Sequence, residues 1–173
     1  MSKLVAIAAS IYFVTLAYFG FAPTASANSL THSLNSAIAT PMALFSFSGT
    51  RPANLGVTDN KLLACPDSPN CVSSQSSDPE HQIAPLTYTG DPAKALADLQ
   101  ALIKSLPRTK IITADGNYIY AEFTSAFMGY VDDVEFYLNT DKSIIEVRSA
   151  SRLGKSDLGV NRDRIESIRS KFA

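Results

Sequence analysis

The stretch Met128-Gly129-Tyr130-Val131-Asp132-Asp133-Val134-Glu135-Phe136-Tyr137-Leu138, the turn Asn139-Thr140-Asp141-Lys142 and the run Ile144-Ile145-Glu146-Val147-Arg148-Ser149-Ala150-Ser151 decide the fold. Side chains alternate between the two faces of a strand, and the first run obeys that period. Met128, Tyr130, Val134, Phe136 and Leu138 fall on one face with Asp132 in register, while Asp133 and Glu135 fall on the other. A four-residue turn between two such runs makes the strands antiparallel neighbours. Arg148 and Arg152 share one face of the second run and its extension, so pairing can set them across from the carboxylates.

Upstream, Ile111–Thr113 and Asn117–Thr124 read as two more strands around the turn former Asp115-Gly116-Asn117. Asp91-Pro92 joins an N-cap acceptor to a proline at the first helical position. Leu96, Leu99, Ile103 and Leu106 then recur on one face before Pro107, which predicts a helix over 92–106. At the other end, Asn161 is placed to cap a terminal helix whose Ile165, Ile168 and Phe172 share a face. The order predicts an α+β fold: an antiparallel sheet of about four strands, one helix before it and a C-terminal helix after it, both on one face. Residues 51–88 are rich in turn formers and are expected to form a largely irregular N-terminal segment.

The 173 residues suit one modest domain, and 15 Lys and Arg against 16 Asp and Glu give no basic footprint for nucleic acid. Lys3, the apolar run Leu4–Ala22, Pro23 and the small triplet Ala25-Ser26-Ala27 have the layout of a signal peptide. Cleavage is expected after Ala27, with an uncleaved N-terminal membrane anchor as the alternative. Residues 28–50 carry no charge before Arg51 and read as a flexible linker, leaving 51–173 as a single α+β domain. The linker's apolar tail, residues 42–47, is a candidate for docking on the domain or for peripheral membrane contact. Residues 28–141 hold six basic and twelve acidic groups, whereas 142–173 hold eight and four, so the basic end is expected to answer acidic groups within the fold.

Cys65 and Cys71 are the only cysteines and enclose Pro66-Asp67-Ser68-Pro69-Asn70. Export would make a disulfide the natural outcome. A metal site would need more ligands than His32 and His81 offer, and no Cys-x-x-Cys redox spacing is present.

Two readings of the charged residues stand side by side. Asp132, Asp133, Glu135, Arg148 and Arg152 can form a cross-strand ion-pair network, or an anion or polar-ligand pocket at the sheet edge. The segment Arg148–Arg164, with Ser149, Ser151, Asp157 and Asn161, joins a strand end to a helix start. It can hold an anion on helix N–H groups, or simply use Gly154 and Gly159 for positive φ with Asp157 bonding loop amides. A hydrolase or isomerase would need Asp132 or Asp133 as base, with His81 as a further candidate, and the sequence offers no evident nucleophile or metal set.

Four separated stretches carry a resemblance: Leu55-Gly56-Val57; Cys65-Pro66-Asp67-Ser68-Pro69-Asn70-Cys71-Val72-Ser73-Ser74; Val131-Asp132-Asp133-Val134-Glu135-Phe136; and Arg148–Arg164. In this order, over roughly 51–171, the chain resembles the domain of unknown function 1499 family. Its motif positions here are Cys65, Pro69, Asn70, Cys71, Asp132, Asp133, Glu135, Arg148, Ser149, Ser151, Arg152, Gly154, Asp157, Gly159, Asn161 and Arg164. The resemblance implies an exported or membrane-associated protein of bacteria, photosynthetic ones included, with relatives in chloroplasts; it brings no catalytic residues. The expectation is therefore a non-catalytic binding or assembly module of the periplasm or thylakoid lumen, monomeric and without cofactor, with an unknown protein or small polar ligand as partner and no nucleic acid.

Overall fold

The computed structural model of the chain describes residues 46–172. The expected signal peptide and most of the expected linker lie outside the described residues. The elements are β1 (Cys71–Ser73), β2 (Leu86–Thr87), α1 (Pro92–Ser105), β3 (Thr109–Asp115), β4 (Tyr118–Thr124), β5 (Val131–Asn139), β6 (Ile144–Ser151) and α2 (Val160–Phe172). All pairings between strands are antiparallel, in the order β1-β6-β5-β4-β3, and β2 also pairs with β6.

The α+β architecture stands, but the sheet has six strands rather than about four. The two extra strands lie in the segment expected to be irregular. They are three and two residues long, too short for a period, and exist because β6 offers them an edge: Val72 pairs with Ser149 near one end and Leu86 with Ile145 near the other. The strand expected from Met128 begins only at Val131, since Gly129 takes φ +66° and turns the chain.

α1 starts where the sequence placed it. The Asp91 side chain accepts from the Lys94 N–H at 2.7 Å, and Leu106 forms the C-cap. α2 is capped differently from the expectation. Asn161 lies inside the helix, and the Asp157 carboxylate accepts from the N–H groups of Gly159 (3.0 Å) and Asn161 (2.7 Å).

The two helices cover one face of the sheet. Leu99, Ile103, Ile165 and Ile168 meet Ile119, Val134, Phe136, Ile145 and Val147 in one core. Each such side chain contributes about 1.5–3 kcal/mol of transfer free energy, which gives the helical face most of its stabilisation. The other face is polar yet equally dry: Asp133, Glu135, Glu146 and Arg148 are all buried. What covers it is the chain from 46 to 62, a strap that bonds to Glu122 of β4, to Glu135 and Tyr137 of β5 and to Arg152 just past β6.

Candidate functional site

Alternation in β5 sends Asp133 and Glu135 to the strap face, and the register sets Glu135 opposite Arg148. Arg148 Nη1 donates to Glu135 Oε2 at 3.2 Å, while the Tyr118 hydroxyl (2.7 Å) and the Gly56 N–H of the strap (2.9 Å) donate to Oε1. Arg152 grips Asp133 with two nitrogens, Nε at 2.9 Å and Nη2 at 2.6 Å, and Nη2 also reaches Glu122 and the Tyr120 hydroxyl. The Tyr120 hydroxyl donates to Asp133 at 2.5 Å, and Arg51 of the strap closes on Glu122 at 2.6 Å. The opposite charges meet across the strands as the sequence allowed.

These contacts move the titrations as burial and charge require. Burial, then the Asp133 carboxylate, pushes the Tyr120 hydroxyl up. Bonds to Asp133, stronger than the opposing burial, raise Arg152. Burial would lift the Glu122 carboxyl, but its bonds to Arg152 and Arg51 hold it below its ordinary value.

On the helix side, Asp132 is ion-paired with Arg164 of α2, whose guanidinium also stacks 5.0 Å above the Phe123 ring. Arg164 Nη1 donates to Asn161 Oδ1 at 2.6 Å and to Ser149 Oγ at 3.0 Å. Fully buried, Asn161 is the hub: its amide nitrogen donates to Asp157 (2.8 Å), Ser151 Oγ (3.0 Å) and the Asn70 carbonyl (3.0 Å). Asn70 Nδ2 in turn donates to the Gly154 carbonyl at 2.7 Å. Burial opposes ionisation of Asp157, and the N–H groups of Asn161 and Gly159 outweigh it and lower its pKa.

The structure thus gathers the candidate residues into two clusters. Asp133, Glu135, Arg148 and Arg152 lie under the strap; Asp132, Ser149, Ser151, Asp157, Asn161 and Arg164 lie where β5 and β6 end and α2 begins. Every guanidinium among them meets a carboxylate or a polar acceptor, and the α2 N-terminus is already answered by Asp157.

His81 stands apart from both. Its buried ring bonds through Nδ1 to the Cys71 carbonyl at 2.9 Å, which makes that nitrogen the donor. Cys65 and Cys71 form the disulfide, tying the chain just past the strap to β1.

The second cluster floors a cleft of about 400 Å³ between the loops 125–130 and 152–159, a volume in the range of small-ligand sites. Asp132, Ser151 and Asp157 supply polar groups, and Phe47, Tyr130, Leu153 and Val160 supply apolar walls. The Phe47 and Tyr130 rings lie 5.7 Å apart. Around this cleft sit all seven large apolar side chains that the described residues leave exposed, with Phe127 at 76% and Leu158 at 93% at the loop tips. Met128 and Tyr130, expected on the core face of a strand, belong to this rim. Phe127, Leu153, Leu158 and Val160 belong to no periodic pattern in the sequence. Their signal is an apolar residue within two positions of a loop glycine, as in Phe127-Met128-Gly129, Leu153-Gly154 and Leu158-Gly159-Val160.

Among the described residues no helix is long and apolar enough to cross a membrane, and no group of three or more His, Cys, Asp or Glu side chains is placed to hold a metal ion. Neither the curated proteins nor the solved structures hold a match to this chain. Residues 61–172, the span that carries both clusters and the disulfide, match the family described as protein of unknown function (DUF1499), and the chain belongs to that family.

Proposed function

We propose that the protein is a non-catalytic binding module whose recognition surface is the apolar-rimmed cleft between the loops 125–130 and 152–159. One observation carries this reading: among the described residues, every exposed large apolar side chain lies at that one end of the sheet. Single exposed apolar residues are ordinary, but a contiguous group of them marks an interaction surface.

The charged residues serve mainly to build this end. An anion would have to displace Glu135 from Arg148 or Asp133 from Arg152, and both carboxylates are buried. A hydrolytic role for Asp133 meets the same obstacle, since the residue is 2% exposed and held by Arg152 and Tyr120. The disulfide, the leader-like N-terminus and the family resemblance support an exported protein of the periplasm or thylakoid lumen.

Site-specific photo-cross-linking in the host cell tests the reading. A benzophenone amino acid at Leu158 is expected to give discrete adducts, and the same group at Asp141, in the turn at the opposite end of the sheet, none. Equal or absent adducts at the two positions would contradict it.

A further inference from the structure

We infer that the apolar end is a membrane-docking face, which inserts Phe127 and Leu158 into the interfacial layer of a bilayer rich in anionic lipid. The inference rests on the binding-module reading and names its partner. Both side chains sit at loop tips, where a flat, soft surface can receive them together. Leu158 is held at φ +56°, a left-handed conformation that a bulky residue adopts only under strain, and glycine at +86° follows it. Nothing in the fold gains from that strained, 93% exposed leucine.

Charge points the same way. Lys104, Arg108, Lys110 and Lys155 are exposed on the end of the sheet that bears the cleft, and none has an ion pair among the described residues. Of the carboxylates that line the cleft, Asp132 is paired with Arg164 and Asp157 is bonded to the first amides of α2. The opposite end mixes the two signs, with Asp91, Asp115 and Asp141 exposed there beside Lys61, Lys142 and Lys171. A face with apolar tips and exposed, unpaired cations is attracted to an anionic membrane surface. Phe47 of the strap lines the cleft as well.

Environment-sensitive fluorophores on single introduced cysteines test the inference, since Cys65 and Cys71 are consumed by the disulfide. The full chain is labelled at F127C, L158C or D141C and mixed with vesicles of equal parts phosphatidylcholine and phosphatidylglycerol. The expected result is a blue shift and quenching by lipid-borne quencher at 127 and 158, with no change at 141. Lys155→Ala should weaken the partitioning about fivefold. Vesicle binding that leaves the fluorophores at 127 and 158 in water would overturn the inference, because attachment would then run through the N-terminal apolar stretch. So would an equal response at all three positions, or none. If the Leu158 cross-linker yields protein adducts while vesicles leave these probes unmoved, docking on lipid fails and the binding module stands; if neither responds, both fail.

Discussion

Replacing Arg152 by alanine removes the one side chain that bridges Asp133, Glu122 and Tyr120. The Arg152 side chain is 5% exposed and the Asp133 side chain 3%, so the carboxylate left behind can neither reach water nor find another cation. Tyr120 still donates to it, and Arg51 still holds Glu122. Breaking a buried pair in this way costs about 3–5 kcal/mol, a large part of the roughly 5–15 kcal/mol that holds a domain folded. Urea unfolding followed by circular dichroism reads the loss as a lower midpoint with an unchanged slope. Because most of the penalty is the stranded Asp133 charge, adding Asp133→Asn to Arg152→Ala should restore a substantial share of the stability. A loss below about 1 kcal/mol for Arg152→Ala, or no recovery in the double variant, would refute the claim that the strap face is a coupled buried network.

Three further predictions follow from the same contacts. Asn161→Ala removes the buried amide that joins Asn70, Ser151, Asp157 and Arg164 and should cost about 1–3 kcal/mol in the same urea assay. Cys65→Ser with Cys71→Ser opens a short loop and should cost about 2 kcal/mol, read as a lower thermal midpoint under non-reducing conditions. Glu122 and Asp157 have folded pKa values below those of the unfolded chain, so the stability they contribute is fully present above the unfolded carboxylate range near about pH 4 and is lost as pH falls through the folded values. Urea midpoints from pH 6 to 2.5 should therefore drop on the acid side, and Glu122→Gln should flatten the drop.

Local chemistry was legible in the sequence wherever a rule needs only neighbours. Asp91-Pro92 and the leucine spacing located α1, and β6 matches its expected bounds of Ile144–Ser151. The cross-strand charges of β5 and β6 followed from a turn and a period of two. What failed depended on distant partners. β1 and β2 are strands only because β6 is beside them. Asn161 carries the side chain of a helix cap but sits in the helix, because Asn70, 91 residues away, offers its carbonyl to the amide. The strap has no period at all. Its role depends on contacts such as Gly56 with Glu135 and Asn60 with Tyr137, each nearly 80 residues apart. The candidate site divides in the same way. Its polar residues stood out as a charged and glycine-bearing segment, whereas its apolar rim emerges only when two loops and residue 47 are brought to one end.

The central claim is that this rim is not needed for folding and exists for recognition. The urea midpoint of Phe127→Ser combined with Leu158→Asn tests it most directly. The account predicts a midpoint equal to that of the native chain or above it, since both side chains are exposed and asparagine tolerates the positive φ at 158 better than leucine. A destabilisation of more than about 1 kcal/mol would make these residues part of the fold and contradict the claim.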